Sequence, residues 1–407
     1  MLGLRIAIGL VSLLVFGGLN LFLFKRLVSD VTTNPWVKRG LSAVLIATYA
    51  AVPLLRWWGA DGNPPSTATL VVLIFWGLLL NVLLVLVGFE AVKWWMKRRA
   101  ASGQPAGAVG SGVPTLESVS VVAPATPAVV DPERRRFIAR VGAATALGVG
   151  GGLTTFGVYR AMTPPEITEV PVRLPGLPKA LEGFTIVQLS DIHVGAVIQE
   201  KFLDMLVTEA NRARPDLVAI TGDLVDGSPA SLGRYVARLR NLRSRHGTYF
   251  CSGNHDYYSG WARWSAALPE FGFTVLRNRR VTIGDAGGSF DLLGVDDWGR
   301  MGVGDYDLDA ATADRDPARA SVLLAHQPSN LEAVSAKNVG LQLSGHTHGG
   351  QLFPGTIVGA LMWQERNTGL SKQGNSWLYT SRGCGFVGPP MRIGAPPEVV
   401  KLVLTSA

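Results

Sequence analysis

Residues 68–89, ATLVVLIFWGLLLNVLLVLVGF, contain no charged side chain. In hydrocarbon every backbone N–H and C=O must be satisfied within the chain, so such a run is confined to helix, and about 20 apolar residues cross a bilayer. Residues 2–24 read the same way, with one early charge at Arg5. Residues 41–55 are apolar but shorter, extended by Trp57 and Trp58 as interface anchors. A three-helix membrane region is therefore expected within residues 1–100. Lys25, Arg26, Lys38 and Arg39 follow the first segment, only Arg56 and Asp61 the second, and Lys93, Lys97, Arg98 and Arg99 the third. Cytoplasmic loops carry the excess of Lys and Arg, which places the N-terminus outside and residues 93–140 in the cytoplasm.

Residues 101–131 are rich in Ala, Gly, Pro, Ser and Val without periodicity, the composition of a flexible linker. In residues 132–164 a basic cluster precedes a mildly apolar, glycine-rich run. Two readings stand here: a fourth transmembrane segment, or a twin-arginine signal anchor, since Arg134-Arg135-Arg136-Phe137-Ile138 matches the core of such signals. Either carries residues 165–407 to the extracytoplasmic side of the cytoplasmic membrane. The lack of a clear small-residue cleavage site points to an uncleaved, multi-pass anchor. Mean hydropathy of +0.24 with 17% charged residues agrees with a membrane protein. The net charge of +8 lies in the apolar part: residues 1–164 hold 15 Lys+Arg against 6 Asp+Glu, the remainder 23 against 24. A near-neutral C-terminal part gives no basic patch, so no nucleic-acid partner is expected. Cys251 and Cys384 allow at most one disulfide.

From Glu166 the pattern becomes that of an α/β domain. FTIVQLS (184–190), LVAIT (217–221), TYFCS (248–252), SVLLA (321–325) and LQLS (341–344) read as short strands, and residues 200–213 and 231–244 as helices. Continuous apolar runs alternating with helices predict a sheet covered on both faces. Each of those five runs is followed by a polar block: Asp191-Ile192-His193, Gly222-Asp223, Gly253-Asn254-His255-Asp256, His326, and Gly345-His346-Thr347-His348. Five of the six histidines thus stand at predicted strand ends. In open α/β sheets ligands bind beyond the carboxyl ends of strands, where scattered positions converge. Asp-x-His and His-x-His spacing places both side chains on one side of an extended segment. Carboxylate, imidazole and amide donors without thiolates suit Mn, Fe or Zn in a catalytic site, and seven candidate ligands suit two divalent metal ions about 3.5–4 Å apart.

The ordered set DIH, GD, GNHD, H and GHTH resembles the signature of the calcineurin-like metallophosphoesterases, over residues 182–405. GHTHGGQ and Ser381-Arg382-Gly383-Cys384-Gly385 are similar to the membrane-associated YkuE/YaeI-like branch. The resemblance implies a four-layer α/β/β/α sandwich and a dinuclear, metal-dependent phosphoric ester hydrolase whose nucleophile is a hydroxide bridging the two ions. It implies Asp191, His193 and His348 on one ion, Asn254, His326 and His346 on the other, and Asp223 between them. It implies His255 as proton donor or transition-state stabiliser, with Asp256 holding its imidazole. By the same resemblance the partner is a phosphorylated envelope substrate, lipid-linked or a nucleotide-sugar.

Other residues have plainer readings. His246 reads as solvated, and Asp296-Asp297 as either cleft lining or loop. Arg382 reads as a phosphate contact or a salt bridge, Cys251 as a small buried residue. Trp261, Trp264, Trp298 and Trp363 read as core, or as an apolar rim for a lipid-like substrate. A noncatalytic metal-binding or scaffolding module is the alternative to an enzyme, and the intact His255-Asp256 pair speaks against it. A transporter is disfavoured because the apolar spans lack interior charge.

Overall fold

The computed structural model describes residues 17–58, 66–102, 131–298 and 304–406. Most of the first apolar segment, and all but the ends of the linker, lie outside the described residues. The chain divides into two compact units, Met1–Ala50 with Leu78–Leu153, and Ala51–Gly77 with Thr154–Ala407.

In the smaller unit residues 17–24 are helical and pass into a wider turn at Lys25–Ser29. Helices Pro35–Trp58, Ser66–Ser102 and Pro132–Met162 follow in the chain. Among the described residues, Thr67–Arg99 and Pro132–Met162 are long and apolar enough to cross a membrane. Leu23, Val82, Leu83, Leu86 and Ala146 form an apolar cluster within this unit. Arg26 bridges Asp30 and Glu90 at 3.0 and 2.9 Å.

The larger unit is a mixed α/β fold with two six-stranded sheets. Its strands are β1 (Glu166–Leu174), β2 (Thr185–Leu189), β3 (Leu217–Thr221), β4 (Thr248–Cys251), β5 (Phe273–Val275), β6 (Arg279–Asp285), β7 (Gly288–Gly294), β8 (Ser321–Leu324), β9 (Leu341–Ser344), β10 (Gly369–Gln373), β11 (Ser376–Thr380) and β12 (Glu398–Ser406). One sheet has the order β1-β12-β2-β3-β4-β5, the other β10-β11-β9-β8-β7-β6. The five apolar runs read from the sequence are β2, β3, β4, β8 and β9, but they divide between two sheets.

Alternation explains why these strands are apolar throughout. Ile186, Leu217 and Ala219 of the first sheet pack with Leu292, Val322, Leu324, Leu341 and Leu343 of the second. Val187, Leu189, Val218 and Ile220 point the other way, into a cluster with Phe202, Leu203 and Leu206 of helix Glu200–Arg212. Leu293 and Leu323 pack with Leu308, Leu331 and Val334. Side chains alternate across a strand, so a strand with cover on both faces is apolar at nearly every position, and its few polar residues, such as Gln188 and Gln342, are buried and hydrogen-bonded. The helix expected over 231–244 is shorter: Pro229–Val236 passes into a 3₁₀ turn at Ala237–Asn241.

Candidate metal centre

β2, β3 and β4 run parallel, as do β8 and β9, so each set ends together. Gln188 of β2 donates to Thr221 Oγ1 and to Ser344 O, both at 2.9 Å, tying the ends of β2, β3 and β9 to one another. Beyond them the loops zip: Asp191 N donates to Gly222 O at 3.1 Å and His193 N to Asp223 O at 3.0 Å. His346 N donates to Asp191 Oδ1 at 3.0 Å.

Asp191, His193, Asp223, His346 and His348 all have positive φ, between 51° and 72°. The extended backbone expected of Asp-x-His and His-x-His is therefore corrected: these residues turn in the left-handed region. Non-glycine residues there carry strain that the surroundings must hold, and such residues cluster at functional sites. Neighbouring glycines make the approach possible. A Cβ on Gly345 would lie 2.0 Å from Ser190 Oγ and 2.1 Å from Asp191 Oδ2; one on Gly253 would lie 2.3 Å from Asp223 Oδ1.

Three donor groups result among the described residues, one of them His193, Asp226 and His255. Asp191, His193 and His348 offer atoms within 4.8 Å of one another, as do Asp223, His326 and His346. The Nε2 atoms of His193 and His348 lie 3.2 Å apart, and His346 Nδ1 lies 3.3 Å from His326 Nε2. Asp223 Oδ2 lies 3.1 Å from His326 Nε2 within its own group and 3.8 Å from His193 Nε2 outside it. Asn254 is buried, and its Oδ1 has no hydrogen-bond partner.

These residues fit a metal. His326 Nδ1 donates to Thr221 O at 2.8 Å and His193 Nδ1 to Asp226 Oδ2 at 3.1 Å, leaving each Nε2 free to ligate. Ligating histidines are held in this way by a carbonyl or carboxylate. A buried amide oxygen without a donor, together with the carboxylates and imidazole nitrogens of these groups, supplies the donor types a divalent cation takes.

The charges follow from the packing. Burial raises the Asp223 carboxyl, but His326 and His193 outweigh it and hold the group far below the usual carboxylate range. Burial lowers His193, yet Asp226, Asp223 and Asp191 raise it to about 9. Burial and the nearby His326 lower His346 to about 4. Burial, with Arg392 beside it, pushes His348 well below the normal value.

The expected contact between Asp256 and His255 is absent. Asp256 turns back into the start of its short helix, accepting from Gly253 N at 2.7 Å, Asp223 N and Leu224 N at 3.0 Å, and Val225 N at 3.3 Å. His255 Nδ1 instead donates to Asp226 Oδ1 at 2.6 Å. Asp226, missed in the sequence, thus holds His193 and His255 with its two oxygens. Arg392 was also missed: it is fully buried and donates to the carbonyls of His348 and Arg382, with Nη2 3.2 Å from His348 Nδ1. The GD-x-x-D spacing of residues 222–226 was the available signal for Asp226; Arg392 gave none.

The weaker candidates also find places. Arg382 pairs with buried Glu398 at 2.6 Å. Asp296 is buried against Arg277 at 2.9 Å, and Asp297 accepts from Gln327. Trp261 and Trp264 are core, while Trp298 stacks on Tyr306 and Trp363 meets the His346 ring at 5.8 Å. His246 is half-buried against Phe184. Cys251 and Cys384 are both free and buried.

The family model for calcineurin-like phosphoesterases matches residues 184–350. The metallophosphoesterase Cj0846 of Campylobacter jejuni is 30% identical over 402 residues, covering 97% of this chain and 97% of its own length. The chain belongs to the calcineurin-like metallophosphoesterases. YkuE of Bacillus subtilis is 33% identical over 65% of this chain and 93% of its own. The Bos taurus transmembrane protein with metallophosphoesterase domain is 37% identical over 65% of this chain and 62% of its own length. This metallophosphoesterase is a metal-dependent phosphoric ester hydrolase, and the two apolar helices together with the transmembrane relatives support membrane association.

Proposed function

We propose that the protein is a membrane-anchored dinuclear phosphoesterase of the cell envelope, cleaving a phosphate ester, phosphodiester or pyrophosphate. The observation that carries this is the pair of donor groups Asp191, His193, His348 and Asp223, His326, His346, with Asp223 of the second reaching within 3.8 Å of His193 in the first. In this reading Asp191, His193 and His348 would hold one divalent ion, Asn254, His326 and His346 the other, and Asp223 would serve both. The chemistry such ions would supply is Lewis-acid activation of water and neutralisation of charge on the phosphoryl oxygens. The chain's own residues supply the rest. His255, whose side chain is 26% exposed, faces solvent at the edge of this cluster and holds a proton for the leaving oxygen. Asp226 fixes the His255 tautomer so that Nε2 points away from the carboxylate. Asp256 maintains the loop that carries Asp223.

We read the larger unit as a four-layer sandwich, the apolar helices as an uncleaved, multi-pass anchor, and the catalytic unit as extracytoplasmic, acting on a lipid-linked or nucleotide-sugar phosphate. Replacing Arg134 and Arg135 by Lys tests export by the twin-arginine route. Retention of the catalytic unit in the cytoplasm supports that route and normal export excludes it.

The activity test is hydrolysis of bis-p-nitrophenyl phosphate by the full-length protein in detergent, with Mn²⁺ and with chelator, beside His255→Ala. Metal-dependent turnover that collapses in the variant is expected. Equal turnover by the variant removes His255 from the reaction, and turnover insensitive to chelator refutes the metal reading.

A further inference from the structure

Helix Gly355–Trp363, GTIVGALMW, has the composition of a core helix, yet none of its nine residues is buried. Leu361 and Met362 are 74% and 71% exposed, Ile357 and Val358 51% and 50%, and Phe353 just before it 48%. Positions 357, 358, 361 and 362 share one helix face. Monomeric soluble proteins rarely leave such a face bare; exposed apolar surface of this size marks a protein or membrane contact.

The larger unit itself indicates what covers it. Leu352 bridges to Ile393, and Ile393 N donates to Gln351 O at 3.0 Å. One residue earlier, Arg392 N donates to Gly157 O at 3.0 Å, within helix Pro132–Met162. A Cβ on Gly157 would lie 2.9 Å from Ile393 Cγ1, and one on Gly77 would lie 1.9 Å from Met391 Cε. Within the larger unit, residues 391–393 thus pack against Gly77 and Gly157, which lie in the two helices apolar enough to cross a membrane, and Ile393 also bonds to the strand-like stretch just before helix Gly355–Trp363. Phe156 and Tyr159, on the last turns of Pro132–Met162, are also exposed. The short helix and the last turns of Pro132–Met162 thus both leave large apolar or aromatic side chains exposed, and residues 391–393 bond to Gly157 in the latter and to Gln351 just before the former. At the far end of the short helix Trp363 packs on His346, a residue of the donor cluster.

We infer that Phe353 and helix Gly355–Trp363 lie in the interfacial layer of the bilayer, and that the site beside Trp363 takes a phosphate ester borne on a membrane lipid. The lipid would present its phosphate at the headgroup level while its chains stay in hydrocarbon. The substrate part rests on the phosphoesterase reading above; the docking part does not.

The test uses full-length protein reconstituted in phosphatidylcholine–phosphatidylglycerol vesicles. Nitroxide labels are placed at Leu361→Cys, Met362→Cys and, as a water-facing control, Lys372→Cys. Wild type is the labelling blank, because Cys251 and Cys384 are buried. Collision with oxygen favoured over a water-soluble nickel complex at 361 and 362, with the reverse at 372, is the expected result. Water-like labels at 361 and 362 overturn the inference. So do labels shielded from both reagents, which would mean that protein, such as a second copy, covers the face. For the substrate, a Leu361→Glu, Met362→Glu double variant is compared with wild type on phosphatidyl-p-nitrophenol in vesicles and on soluble bis-p-nitrophenyl phosphate. Turnover of the lipid should fall about tenfold or more, with soluble turnover kept within about twofold. Equal losses, or none, overturn the lipid route. A wild type inert on both substrates sinks the phosphoesterase reading and the lipid route together, and the collision data still decide the docking.

Discussion

Asp226→Asn discriminates between the two residues that sequence and structure assign to His255. Asp226 is shared: Oδ1 accepts from His255 Nδ1 at 2.6 Å and Oδ2 from His193 Nδ1 at 3.1 Å. An asparagine has one oxygen for two donors, so one histidine must face an N–H₂ group or turn its ring. A hydrogen bond to a charged group contributes about 1.5–3 kcal/mol, and the 36% exposure of the Asp226 side chain argues for the lower part of that range. At 1.36 kcal/mol per decade, kcat/KM should fall about 10- to 40-fold, within the usual effect of removing a carboxylate behind a ligating histidine. Metal titration separates the two arms. If saturating Mn²⁺ restores only part of the rate, the remaining deficit belongs to His255. The companion variant is Asp256→Asn, whose amide would confront the four backbone N–H groups the carboxylate now accepts. It should lose about 3 kcal/mol or more of stability by leaving buried donors unpaired, read as a lower midpoint in urea. Steady-state kinetics and metal affinity for Asp226→Asn both within twofold of wild type would refute the assignment. So would an Asp256→Asn variant of normal stability with a distorted pH–rate profile.

Three further outcomes follow from the same geometry. Gly345→Ala puts a methyl 2.0 Å from Ser190 Oγ and 2.1 Å from Asp191 Oδ2, so metal binding measured by calorimetry should weaken at least tenfold, and wild-type affinity would show that the loop yields freely. Arg392→Met removes a buried guanidinium that donates to the carbonyls of His348, Arg382 and Gly385; destabilisation of about 3 kcal/mol or more is expected in urea, and less than 1 kcal/mol would contradict it. In chelator-treated protein, burial lowers His193 but the surrounding carboxylates, Asp226 foremost, hold it at about 9, above its ordinary 6.5. A raised folded-state value gives stability that is complete below pH 6.5 and lost as pH rises through 9. The melting temperature of the chelated protein should decline across that window, more steeply than in Asp226→Asn, and parallel curves would remove Asp226 as the cause.

What the sequence made legible was whatever a local pattern records. The strands β2, β3, β4, β8 and β9 announce themselves because burial on both faces leaves few polar positions, and the ligand types stand directly after them. β1 and β12 escaped notice although they pair along their whole length, because β1 alternates and keeps much of one face exposed. β6 and β10 are edge strands with solvated faces, and they carry the same weak signal. Division into two sheets is also invisible locally, since an apolar strand reads alike whichever sheet takes it.

The misplaced aspartate has a different origin. Adjacency in sequence favoured Asp256 as the partner of His255, but neighbours on a helix project about 100° apart and do not face each other. Residues three apart do share a side, and Asp256 accordingly reaches back to Gly253 N, whose close approach to Asp223 only a glycine allows. Asp226 arrives from the loop after the neighbouring strand β3, which ends beside β4. The left-handed turns at Asp191, His193, Asp223, His346 and His348 have the same cause. Parallel strands deliver their ends side by side and pointing outward, so each chain must reverse at once to aim its donors back at a shared point. The sequence displays the donors and the glycines that clear room for them; the reversal itself exists only once the two sheets have packed.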